Sequence, residues 1–183
     1  MIITDMRLKI LLFAFGLLLA GACRAEEGLL LDLPHHEGWK VGNRQYDKGV
    51  QFIELVKNGE TVENWTELVT MISKPIDPLI NLEVVMENFL TETQKSAPKA
   101  KLTLVEKDLK NRYPRIMFKI EAADYPGKSG QEAESDLFYL VKGVSHLFIN
   151  VRAVKRPHLS KAQVDSWAAT FRAAKVMDNP PKP

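Results

Sequence analysis

The sequence predicts an α+β domain: a mostly antiparallel sheet of about six or seven strands with two main helices packed on it. Three observations lead there. Several runs alternate apolar and polar side chains with the period of a strand. The links between them are short and carry Gly or Asn, which favours antiparallel neighbours. Two other stretches repeat their apolar residues at helical spacing, and a helix so striped must lie on the sheet.

Taken in order, residues 28–33 are a short apolar run, read as a first strand or arm, and a loop follows at Pro34, His35, His36, Glu37 and Gly38. Residues 39–46 and 50–57 form a hairpin across Asp47, Lys48 and Gly49. Asn58-Gly59 is a strong turn signal. Residues 65–73 are the next strand, stopped by Pro75. Asp77-Pro78 then announces a helix, with Asp as N-cap and Pro at the first helical position. Its stripe is Leu79, Leu82, Val85, Met86, Phe89 and Leu90, and Ser96-Ala97-Pro98 ends it. Residues 101–106 and 115–121 are two further strands. Residues 125–135, polar and Gly-bearing, are a long loop.

The most apolar stretch is 137–156, a central hairpin turning at Lys142-Gly143, where Gly is expected to supply a positive φ. Leu147, Ile149, Val151 and Ala153 share one face, which should pack on the core. His146, Phe148, Asn150, Arg152 and Val154 share the other, mixed face. In the last helix, Ser160 and Gln163 fit a capping box, and Val164, Trp167, Ala168 and Phe171 make the buried stripe.

The 183-residue chain suits one domain behind a targeting segment. Residues 1–25 read as a signal peptide: Arg7 and Lys9, an apolar run over 10–20, then small residues. That run is about half of the roughly 20 residues needed to span a bilayer. Two cleavages compete. Leu19-Ala20-Gly21-Ala22-Cys23 is lipobox-like and would make Cys23 a lipidation site; cutting after Ala25 would release a soluble chain. Residues 26–176 form the domain, and 177–183 are expected to be a disordered tail. Cys23 is the only cysteine, so the mature domain has no disulfide and no thiolate metal site. Loss of Arg7, Lys9, Arg24 and Asp5 lowers Lys plus Arg from 25 to 22 and Asp plus Glu from 23 to 22. A near-neutral domain gives no footing for nucleic-acid binding.

Candidate chemistry is sparse. His35-His36-Glu37 could gather round a metal only as a loop, with His146 and His158 far along the chain. Ser129 and Ser145 lack a nucleophile-elbow pattern. Glu132, Glu134 and Asp136 read as solvated charge, and no phosphate loop or dinucleotide fingerprint is present. Arg152, Lys155, Arg156, His158 and Lys161 form a basic cluster. It reads first as a solvated strand end, and second as a patch for an acidic partner or anionic head groups, with Arg152 and Arg156 on one strand face. Trp65 reads first as core, and second as an edge residue open to a partner.

The segment Gly59-Glu60-Thr61-Val62-Glu63-Asn64-Trp65-Thr66-Glu67-Leu68-Val69-Thr70 resembles one common in small secreted bacterial proteins. The closing strand pair, Arg152 and the helix with Trp167 and Phe171 resemble them too. The element order is similar to the PsbP-like fold of thylakoid-lumen PsbP proteins and bacterial DcrB-like lipoproteins. That resemblance implies an accessory or binding role without catalysis. The expectation is therefore an exported, periplasmic, monomeric protein, not an enzyme, with no cofactor. It would bind an envelope protein, with Trp65, Arg152 and Arg156 as candidate contacts, and touch the membrane only through a lipid anchor at Cys23. The alternative is a carrier or sensor of a small apolar or lipid-like ligand held between helix and sheet, suggested by the adaptable Met71, Met86 and Met117.

Overall fold

The computed structural model describes residues 27–126 and 132–178. The leader with Cys23 and Ala25, residues 127–131 and the tail from residue 179 lie outside the described residues. Nine strands and two α-helices are described: β1 Glu27–Leu30, β2 Trp39–Asp47, β3 Val50–Lys57, β4 Glu67–Pro75, α1 Leu82–Gln94, β5 Lys101–Asp108, β6 Arg115–Ala122, β7 Glu134–Lys142, β8 His146–Val154, α2 Lys161–Ala173 and β9 Lys175–Asp178. His35–Glu37 form a 3-10 turn. Seven strands make one antiparallel sheet in the order β2-β3-β4-β8-β7-β6-β5, and β1 pairs with β9 in a separate ribbon. The domain is α+β, as the patterning predicts.

Two meanders, β2-β3-β4 and β5-β6-β7-β8, meet where β4 pairs with β8 from Glu67↔Val154 to Pro75↔His146. The β7–β8 hairpin is therefore central. Period-two alternation sends Leu147, Ile149 and Val151 to the face under α1 and Phe148 and Val154 to the face under α2. Both faces are covered, whereas the mixed face suggested that only one would be. Phe118 stacks on Phe138 at 4.7 Å and Phe89 of α1 sits 4.9 Å from Phe138. On the opposite face Tyr139 stacks on Phe171 of α2 at 5.2 Å. Burying an aromatic side chain of this kind stabilises by about 1.5–3 kcal/mol.

The capping box of α2 forms as expected: the Gln163 N–H donates to Ser160 Oγ at 3.2 Å, and the Ser160 N–H donates to Gln163 Oε1 at 3.0 Å. The start of α1 differs. Its N-cap is Asn81, whose Oδ1 accepts from the Glu83 N–H at 2.8 Å. Asp77 instead caps a separate turn, accepting from the Leu79 N–H at 2.8 Å. Leu79 thereby leaves the helical stripe and is 90% exposed.

Two further expectations are corrected. Positive φ occurs at Gly38, Lys48, Gly49 and Gly59 among the described residues, and Gly143 is not in that set. Glycine at 143 answers to space: a Cβ there would stand 2.5 Å from Glu27 Oε2. At the C-terminal end, Met177 and Asp178, assigned to a disordered tail, belong to β9 and pair with Gly28 and Glu27.

Candidate functional site

The three residues expected to meet a partner separate in the fold. Trp65 is 3% exposed and packs with Val56, Leu68 and Ala153, with Lys155 Nζ 5.4 Å from its ring centroid. Arg152 is 8% exposed and faces α2. Arg156 is exposed, but β8 ends at Val154, so Arg156 lies in the bend beyond it and does not share a strand face with Arg152. Trp65 is core, as its first reading had it, and the second reading of an open edge residue is corrected; Arg152 is likewise corrected as a surface contact, because neighbouring strands and α2 cover it.

Arg152 belongs to a cluster built by cross-strand neighbours. Its Nη2 donates to Glu67 at 2.6 Å. Glu67 also lies 3.7 Å from Lys57 Nζ, which reaches Glu37 of the 3-10 turn at 2.9 Å. Two indoles complete it. Lys57 sits 3.8 Å over Trp39, Arg152 sits 4.1 Å over Trp167, and the two rings meet edge to face at 5.8 Å. Burial pulls the Arg152 guanidinium below its ordinary pKa, and Glu67 opposes that pull. Two cations and two carboxylates neutralise one another, so the cluster ties α2, the β2–β3 hairpin and the β4–β8 pair together. Arg152 Nε, Trp167 Nε1 and Asn150 Nδ2 are buried on this face with no partner among the described residues.

A second constellation forms at the β7–β8 turn, where the chain brings Glu27 to Ser145 and His146. The Glu27 carboxylate accepts from the Val144 N–H at 3.0 Å, the Ser145 N–H at 2.7 Å, the Ser145 hydroxyl at 2.9 Å and the His146 N–H at 3.2 Å. Ser145 Oγ is also 2.9 Å from His146 Nδ1. The residue types suggest a nucleophile, but the geometry does not serve one. The Ser145 hydroxyl donates to the Glu27 carboxylate, a partner that ties the oxygen down beside the imidazole. Burial would raise the Glu27 pKa; the donors from Ser145, Val144 and His146 outweigh it and hold the carboxyl below its ordinary value. A carboxylate so stabilised is a weak base and a strong tie. The metal idea at His35-His36-Glu37 meets a competing role for Glu37, which is held by Lys57 and by Trp39 Nε1 at 3.2 Å. No group of three His, Cys, Asp or Glu side chains able to hold a metal occurs among the described residues.

The surface itself carries a different feature. One end of the sheet bears the β2–β3 turn, the 76–81 loop, the 109–114 loop and the β7–β8 turn. Of eight exposed large apolar side chains among the described residues, five lie at this loop end: Tyr46, Leu79, Val84, Leu109 and Val144. Lys142 Nζ donates to the Pro78 carbonyl at 2.6 Å and the Ile80 carbonyl at 3.1 Å, and the Ile76 N–H donates to the Ser145 carbonyl at 3.1 Å. These bonds stitch the loop of Leu79 to the turn of Val144, so these two apolar groups stand on fixed backbone. A set of large apolar side chains presented together marks a contact surface more often than scattered ones do. Sequence reasoning missed it because Leu79 fits the helical period of α1. The Asp77-Pro78 pair, which can close a turn of its own, was the available signal.

No family model matches the chain, and no curated protein matches it.

Proposed function

We propose that this is an exported, non-catalytic accessory protein of the bacterial envelope that works by docking through the loop end of its sheet. The observation that carries the reading is the exposed pair Leu79 and Val144 on loops stitched to each other, with Tyr46 and Leu109 exposed towards the two edges of the same end. The leader-like residues 1–25 support export to the periplasm, and the PsbP-like element order supports a binding role. Both edge strands support a monomer. β2 is irregular between Val41 and Asn43 and β5 between Leu104 and Glu106, and exposed Lys40, Arg44, Lys101 and Lys107 line them. Bulges and charges of this kind blunt an edge against pairing with another chain.

The carrier reading loses its motive in this geometry. Met71 and Met117 lie under α2 while Met86 lies under α1, so the three do not line one site. The unpartnered N–H donors of Asn150, Arg152 and Trp167 would suit an oxygen acceptor better than an apolar ligand.

The test is fractionation of cells expressing a Cys23→Ala chain, which can carry no acyl anchor and keeps the cleavage after Ala25, with and without Leu79→Asp and Val144→Asp. Docking through the loop end predicts that the Cys23→Ala chain is recovered with a large envelope complex or membrane fraction and that the triple variant is released. Equal recovery of both, with the chain exported, would reject the surface. Retention in the cytoplasm would reject export.

A further inference from the structure

Resting on that docking reading, we infer that the partner of the loop end is the lipid bilayer surface, and that the chain is held there with Leu79 and Val144 towards the membrane. Two independent observations converge. The first is the exposed apolar set described above, with Lys110 and Arg112 exposed on the same end. Long cationic side chains beside apolar groups suit an interface, where the stems meet hydrocarbon and the charges meet head groups.

The second observation is where the chain enters the fold. Glu27 is the first described residue, and its carboxylate is fastened by the Val144, Ser145 and His146 N–H groups at this very end. Three residues separate it from Cys23, and the four Cα-to-Cα steps span at most about 14 Å. An acylated Cys23 would therefore bring the bilayer to the β7–β8 turn and not to the far end that carries Trp65 and Arg156. The fastening would fix the orientation of a chain anchored through Cys23. No helix among the described residues is long and apolar enough to cross a membrane.

The experiment uses the mature full-length chain, purified from membranes and reconstituted in vesicles of phosphatidylethanolamine and phosphatidylglycerol. Leu79→Cys, Val144→Cys and Arg156→Cys variants each receive an environment-sensitive fluorophore. Cys23 is either acylated or removed with the leader, so the introduced thiol is the only one free. All three sites are exposed, so the substitutions leave the core intact. The expected result is a blue shift, with loss of emission to bromine-labelled lipid, at positions 79 and 144 and neither at 156. Equal responses at all three positions, or none at 79 and 144, would overturn the inference. So would intact mass showing an unacylated chain from Glu26 that does not float with vesicles. An envelope protein captured by a crosslinker at position 79, with unshifted labels, would overturn the bilayer as partner and leave docking through the loop end standing.

Discussion

Glu27→Ala should destabilise the fold far more than a substitution in the first strand of a two-stranded ribbon ordinarily would. The carboxylate accepts four hydrogen bonds, from Val144 N–H, Ser145 N–H, Ser145 Oγ and His146 N–H, and Glu27 is itself buried. A hydrogen bond to a charged group contributes about 1.5–3 kcal/mol when removed singly. Four bonds on one carboxylate are not additive, and the turn can regain water once the side chain is gone, so a loss of about 3 kcal/mol is expected. Urea unfolding followed by circular dichroism reads this as a lower midpoint at unchanged slope. Glu27→Gln should recover part of the loss, because its amide oxygen can replace Oε2 as acceptor from the Ser145 N–H, the Ser145 hydroxyl and the His146 N–H, while its amide nitrogen meets the Val144 N–H donor against donor. The pH dependence has a definite sign. The folded pKa lies below the ordinary 4.5, so the contribution is fully present above that value and is lost as pH falls through the lower, folded one. The gap between wild type and Glu27→Ala should therefore be constant near neutrality and close in acid. A shift under about 0.5 kcal/mol, the size of an ordinary surface substitution, or a gap that stays open in acid, would refute the tie.

Three further predictions follow from the same geometry. Gly143→Ala places a Cβ 2.5 Å from Glu27 Oε2 and 2.9 Å from the His146 carbonyl oxygen, so it should destabilise wild type; the share due to Glu27 should vanish in the Glu27→Ala background and the share due to the His146 backbone remain, as a double-mutant cycle by urea unfolding would show. Arg152→Ala removes one partner of a buried pair and exposes the Trp167 face; with Lys57 still 3.7 Å from Glu67, the expected cost is at the lower end of about 3–5 kcal/mol, and Arg152→Met should be milder. Asn81→Ala should lower stability by about 1 kcal/mol through loss of the α1 cap, while Asp77→Ala should leave the helix content of the circular dichroism spectrum unchanged.

Local rules made much of this fold readable. The Asp47-Lys48-Gly49 turn, the strand alternation in 147–153 and the Ser160–Gln163 box each depend on residues close in sequence, and each formed as the pattern required. The misreadings share a different origin. Asp77-Pro78 and Asn81 both suit a helix start, and only the chain's path decided that Asp77 would cap its own turn and free Leu79. Gly143 was legible as a special position but for the wrong reason, since the groups that need its space are the nearby His146 carbonyl and the carboxylate of Glu27, more than a hundred residues away. The same distance hid the Glu27–Ser145–His146 contact altogether. Arg152 and Trp65 carry surface-like and core-like signals at once, and their burial follows from α2, the β2–β3 hairpin and the 58–66 loop, which no local pattern locates. β9 is too short to register a period and forms because β1 is there to pair with it.

Site-specific crosslinking in living cells would test docking through the loop end most directly. A photoreactive amino acid would replace Leu79 in one strain and Arg156 in another, and adducts would be read by mass spectrometry after isolation of the envelope. Docking through the loop end predicts abundant adducts, to lipid or to an envelope component, from position 79 and background from position 156. Adducts from position 156 with none from position 79 would contradict it and return the basic far end to first place.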